Sequence, residues 1–170
     1  MDVGAVHIRD ECADDIGAIR CVVVDAFADH PHSRQTEHRI VDALRAAGVL
    51  SLSLVAESDG AVLGHVAFSP VSIGDGSPGW YGLGPVAVTP AQQRRGIGRA
   101  LIEAGLARLR GLGAAGCVVV GDPGYYGRFG FVASADLRYP GLPPEYFMAL
   151  SLTAAPARGD VAYHAAFDVA

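Results

Sequence analysis

Apolar positions along the chain follow first one period and then another. Ile16, Ile19, Val23 and Phe27 recur at helical spacing, and Asp14 and Asp15 stand just ahead of them, where carboxylates favour the positive end of a helix. A first helix is expected there, after a short strand over residues 3–9. Ile40, Val41, Leu44 and Ala47 predict a second amphipathic helix that stops at Gly48, beyond a long, polar, His-rich stretch from Asp29 to Gln35. The pattern then alternates. Residues 50–57 and 61–73 are β-branched runs separated by Ser58-Asp59-Gly60, and an Asp-Gly turn between such runs predicts an antiparallel hairpin. After a turn at Gly74 to Gly79, residues 80–89 predict a fourth strand, ended by Pro90, which cannot donate to a ladder. Leu101, Ile102, Leu106 and Leu109 mark a helix from Ile97 to about Leu112, and Cys117 to Val120 a short apolar strand. Strand, helix and strand in that order predict a βαβ unit with a parallel pair. Gly121-Asp122-Pro123-Gly124 turns the chain into an aromatic segment ending at Phe131, and residues 146–152 form another strand. The expected fold class is α/β of the mixed α+β kind: one mostly antiparallel twisted sheet with a single parallel βαβ crossover.

With 170 residues, 51% of them hydrophobic, the chain can bury one substantial core, and no linker, repeat or low-complexity tract divides it. One domain over residues 1–152 is expected, with the tail at 153–170 packed on it and carrying no assigned role. Eighteen acidic against 13 basic residues give a formal charge of −5, which opposes nucleic acid and anionic membrane surfaces as partners. Every basic residue is Arg, for the chain has neither Lys nor Asn, so a Schiff-base lysine, a P-loop lysine and a Cys-His-Asn triad are all excluded. Cys12, Cys21 and Cys117 are odd in number, lack CxxC spacing and sit among apolar neighbours. They read as buried reduced thiols in a cytoplasmic protein, with no metal site expected. Met1 to Asp10 lacks the basic flank and apolar core of a leader, and no apolar run approaches a membrane span.

The chemically informative stretch runs from Gly84 to Leu101. Here Gln93-Arg94-Arg95-Gly96-Ile97-Gly98-Arg99 falls between a strand and a helix. Such a turn aims unpaired backbone N–H groups and the positive helix end at one point, and its glycines let a ligand approach the backbone. An anion site is expected. The spacing matches neither the dinucleotide GxGxxG fingerprint nor the P-loop.

Gln93-Arg94-Arg95-Gly96-Ile97-Gly98 resembles the Gln/Arg-x-x-Gly-x-Gly/Ala signature of the GNAT superfamily of N-acyltransferases, and Tyr126 to Phe131 resembles its Tyr-x-x-x-Gly-Phe element. Gly121-Asp122-Pro123 followed by Tyr125-Tyr126 is further similar to the small bacterial YhbS-like branch. The order of elements is covered from about residue 5 to 152. The resemblance implies a GNAT-like fold and acetyl-CoA as cosubstrate. It implies that the amides of Arg94, Arg95, Gly96, Ile97, Gly98 and Arg99 hold the pyrophosphate, with guanidinium groups adding charge. It also implies that a bulged strand offers the main chain of Val86, Ala87 and Val88 to the pantetheine arm; Pro85, lacking an N–H, suits an interruption in pairing.

By the same resemblance Tyr126 protonates the leaving thiolate as an amine attacks the thioester directly; the bland alternative is that Tyr125 and Tyr126 are both packing aromatics. The base is open: Glu57, His65 and Tyr81 on strands, Asp25, His30, His32 and Glu37 on the helical flap, or a water chain with no dedicated base. His164 is expected at the surface. An acetyl-CoA-dependent N-acetyltransferase, monomeric or homodimeric, acting on a primary amine of a small molecule or peptide, is the leading reading. A non-catalytic CoA or acyl-CoA binding or sensing module is the alternative, although it has no need of Tyr126. A different phosphate-ligand protein using the same helix terminus is the third.

Overall fold

The computed structural model describes residues 5–169. In chain order the elements are β1 (His7–Asp10), α1 (Ile16–Phe27), α2 (Glu37–Ala46), β2 (Leu52–Ser58), β3 (Ala61–Ile73) and β4 (Trp80–Val88), followed by α3 (Ile97–Gly111) and β5 (Gly116–Val120). A single turn, α4 (Pro123–Tyr126), then precedes β6 (Leu137–Arg138), β7 (Phe147–Ser151) and β8 (Gly159–Tyr163). The sheet is ordered β1-β2-β3-β4-β5-β7; its neighbours are antiparallel except for the parallel pair β4–β5. This is the mixed, mostly antiparallel sheet with one crossover that the periodicity predicts. Asp59 and Gly60, at φ 51° and 79°, both take the left-handed conformation that a two-residue type I′ hairpin needs.

Side chains alternate across the sheet. On one face α3 buries Leu101, Ile102, Leu106 and Leu109 against Leu54, Phe68, Leu83 and Cys117. On the other, Ile19, Val22 and Val23 of α1 and Val41 of α2 cover Val55 and Ala87. Leu137 of β6 and Val161 of β8 cover Trp80, Val118 and Phe147 on that same second face. Removing such a side chain from water contributes about 1.5–3 kcal/mol each, which is why the two helical layers hold the sheet rigid around its centre.

Several sequence expectations need correction. Of the three thiols only Cys117 is buried; Cys12, at the start of the 3-10 turn ahead of α1, and Cys21, on α1 away from its buried Ile19, Val22 and Val23, are exposed. The first strand spans only His7–Asp10, and Val3 and Gly4 lie outside the described residues. Asp14 and Asp15 belong to a 3-10 turn ahead of α1; Asp15 is buried, accepts the Cys12 N–H and pairs with Arg9 at 2.7 Å, which holds its carboxyl far below the usual carboxylate range. The segment after Thr153 contributes a strand: β8 pairs with Val71–Ile73 of β3 and with β6. His164 is half-buried, its Nδ1 accepting the Ala166 N–H at 3.0 Å.

Candidate functional site

The parallel pair holds for only three rungs, Trp80–Gly116, Tyr81–Cys117 and Gly82–Val118. Past them the strands part, while each keeps its outer partner: β4 stays paired to β3 as far as Val88, and β5 to β7 as far as Val120. A wedge therefore opens in the middle of the sheet, with its apex at Gly82 and Val118. The register of β3 against β4 slips between Val66–Val86 and Phe68–Leu83, so a bulge falls at Gly84-Pro85, where the sequence predicts interrupted pairing. Beyond the bulge Val86 and Val88 lean on the α3 layer and Ala87 on the α1 layer. Among the described residues no strand pairs with their main chain along the β5 side.

At the open end of the wedge β4 passes through a 3-10 turn into α3. Gln93 closes this turn, its Nε2 donating to the Val88 carbonyl at 3.0 Å. Arg94 has φ 64° and the N-cap Gly96 φ 83°, so the chain curls back on itself before the helix starts; glycine takes the second conformation without a steric penalty and Arg94 does not. The first intrahelical bond is Ala100 N–H to Gly96 O at 3.0 Å, and no side chain caps α3, so the amides of Ile97, Gly98 and Arg99 precede the hydrogen-bonded ladder. The Ile97 side chain is buried in the α3 core and offers the site only its backbone. Arg94, Arg95 and Arg99 are exposed; Arg99 pairs with Glu103 at 2.9 Å, which offsets part of its charge. Predicted turn residues and β4 residues thus meet at one end of one cleft.

The aromatic segment comes back over the same place. Asp122 caps α4, accepting the Gly124 N–H at 2.8 Å, and Pro123 fills the first helical position. Successive residues of a helix point about 100° apart, so the two tyrosines diverge. The Tyr125 hydroxyl reaches the start of α3, 3.4 Å from where a Cβ on Gly98 would stand, and the Arg128 guanidinium lies 4.7 Å above its ring. Tyr126 turns inward onto Gly121 at the end of β5 and packs edge-on to Phe131. Burial pushes its phenol up to about 12, so it stays protonated at neutral pH. Sequence reasoning did not place the Tyr125 hydroxyl beside Gly98, nor Arg128 over the Tyr125 ring. The helix start at Asp122-Pro123 was the available signal, since it fixes the angle between the two rings.

The base candidates scatter. Glu57 is on β2, paired with Arg9. Tyr81 is half-buried below the apex on the α3 side. Asp25, His30 and His32 are exposed, and Glu37 accepts from Ser33. His65, expected on the cleft, is fully buried; it points to the α1 face, where Val55 and Ala87 flank it. Its Nε2 meets Ser53 Oγ at 2.7 Å, and Ser53 donates to Glu11, which pairs with Arg45 at 2.8 Å. An ionised carboxylate only accepts, so the Ser53 lone pair takes the Nε2–H and His65 is the neutral Nε2–H tautomer. Desolvation brings its pKa down to about 4. Among the described residues no His, Cys, Asp and Glu side chains group as a metal site.

The Acetyltransferase (GNAT) family profile matches residues 7–131. The chain is 41% identical over 123 residues to the uncharacterized N-acetyltransferase YhbS of Escherichia coli K12, covering 69% of this chain and 74% of that protein. A GNAT family acetyltransferase from Brucella melitensis, solved in complex with acetyl-CoA, superposes with TM-score 0.87 at 56% identity, covering 96% of this chain and 99% of that one. E. coli YhbS in complex with CoA superposes with TM-score 0.88 at 35% identity, covering 99% and 96%. The wedge, the bulged strand and the uncapped helix start are therefore those of a known architecture, and the chain belongs to the GNAT acetyltransferase family.

Proposed function

We propose that the protein transfers the acetyl group of acetyl-CoA to a primary amine by direct attack. The observation that carries this reading is the continuity of an unpaired β4 edge with the uncapped N-terminus of α3. An extended amide-bearing arm fits the edge as an added strand, and a pyrophosphate fits the helix end. Arg94, Arg95, Gly96, Ile97, Gly98 and Arg99 hold the phosphates, mostly through backbone amides, while Tyr125 and Arg128 close over them. Val86, Ala87 and Val88 hold the arm through their main chain. The relatives solved with acetyl-CoA and CoA support the same ligand here.

The thioester supplies an activated acetyl group. The chain supplies proximity, an unpaired edge to orient the carbonyl, and a proton donor at the leaving sulfur. Tyr126 is that donor. Transfer from a phenol at about 12 to a thiol of ordinary acidity is uphill in water, so its contribution comes as a hydrogen bond that strengthens while charge builds on the desolvated sulfur. The attacking amine must be neutral, and with His65 buried and hydrogen-bonded away from the wedge, water carries its proton out. Calorimetric titration with acetyl-CoA, followed by an amine panel read by thiol release, tests the proposal: saturable binding and amine-dependent thiol release support it. Binding without release for any amine would favour the sensing module instead.

A further inference from the structure

β8 brings Tyr163 to the apex of the wedge. Tyr163 pairs with Val71 of β3, and one edge of its ring closes on Gly82, the last residue of β4 still joined to β5. A Cβ on Gly82 would stand 2.5 Å from Tyr163 Cε1, so this packing requires glycine. The ring is fixed from behind by Tyr139, edge-on at 5.4 Å, and Phe167 at 4.9 Å. The ring therefore stands at the corner where β4 and β5 separate.

From Val88 back to Gly82 is about 20 Å of strand at about 3.3 Å per residue. A ligand anchored by its phosphates at α3 and extended along β4 brings its acyl end to this closed corner. We infer that the Tyr163 ring is the stop that sets acyl length, admitting acetyl and excluding longer chains. This rests on the donor reading proposed above. A rigid aromatic ring, buttressed by two others, cannot yield as a flexible side chain would, and added methylenes meet it directly.

The test is a ladder of acetyl-, propionyl-, butyryl- and hexanoyl-CoA titrated by calorimetry into the full chain. Wild type is expected to lose about tenfold or more in affinity per added methylene beyond acetyl, the usual worth of a methylene in a fitted pocket. Tyr163→Leu, which stays apolar, is expected to flatten the ladder, and Tyr163→Phe, which keeps the ring, to retain it. Gly82→Ala, whose Cβ claims the space beside the ring edge at this corner, is expected to weaken acetyl-CoA more than free CoA, and it reads the same contact should Tyr163→Leu not fold. A ladder unaltered in Tyr163→Leu, or equal losses of acetyl-CoA and CoA in Gly82→Ala, would overturn the inference while leaving the donor reading intact. Wild type that binds neither acetyl-CoA nor CoA would overturn both.

Discussion

The Tyr125 hydroxyl stands over Gly98 at the first turn of α3, while the ring of the adjacent Tyr126 lies on Gly121 at the end of β5. The two rings, 5.0 Å apart between centroids and nearly at right angles, thus face different parts of the cleft. Tyr125, with Arg128 above it, faces the start of α3, where we propose the phosphates bind; Tyr126 faces the interior, where the same proposal puts the leaving sulfur.

Tyr126→Phe keeps the ring against Gly121 and Phe131 and removes only the donor. Acetyl-CoA affinity is expected to hold while turnover of an accepted amine falls by roughly 10²–10⁴. Steady-state kinetics with direct calorimetry separates the two; a variant with wild-type turnover would remove Tyr126 from the chemistry.

His65 gives a pH dependence of stability. Its folded pKa of about 4 lies below the ordinary value of 6.5, so in that interval the unfolded chain binds the extra proton. Stability is expected to be full above pH 6.5 and to decline as pH falls towards 4, by on the order of 3 kcal/mol in total. Urea titrations across this range check it, and His65→Gln should flatten that part of the profile. A wild-type stability that rises on acidification would contradict the buried neutral tautomer.

The flap between α1 and α2 is predicted to choose the acceptor. A cavity of about 160 Å³ opens there beside Val23, Phe27, Gln35 and His38, with the exposed His30 and His32 in T-shaped contact, their ring centroids 6.1 Å apart. Polar loops on a rigid scaffold are where specificity is commonly carried. Replacing residues 29–35 by a Gly/Ser segment is expected to leave CoA affinity unchanged and to alter which amines release thiol. An identical amine profile would place acceptor selection elsewhere, with Trp80 and Tyr81 as the next residues to test.

Much of this layout was legible in the sequence because it depends on local period and turn chemistry. The helices at Ile16 and Ile97, the Asp59-Gly60 hairpin and the helix start after Gly96 each announce themselves within a dozen residues. β8 did not, for in Gly159–Tyr163 only Val161 is fully buried, and so short a run carries little alternation. The wedge was legible only through resemblance: nothing local says that β4 and β5 separate after three rungs. His65 was misread because alternation assigns a residue to one face of a strand without saying which face a helix will cover. The exposure of Cys12 and Cys21 was lost the same way, since apolar neighbours in sequence need not be neighbours in the core.

The anion turn is the claim on which the rest depends, and one calorimetric comparison addresses it: acetyl-CoA titrated into wild type, Arg94→Ala and Gly98→Asp. The donors are mostly backbone, so Arg94→Ala, at an exposed guanidinium, is expected to cost less than about fivefold. Gly98→Asp puts bulk under the Tyr125 hydroxyl and a negative charge where the phosphates would lie, and is expected to cost on the order of 100-fold. Gly98→Ala, whose Cβ makes only an ordinary contact at 3.4 Å, controls for packing. A folded Gly98→Asp protein that binds acetyl-CoA as tightly as wild type would contradict the account.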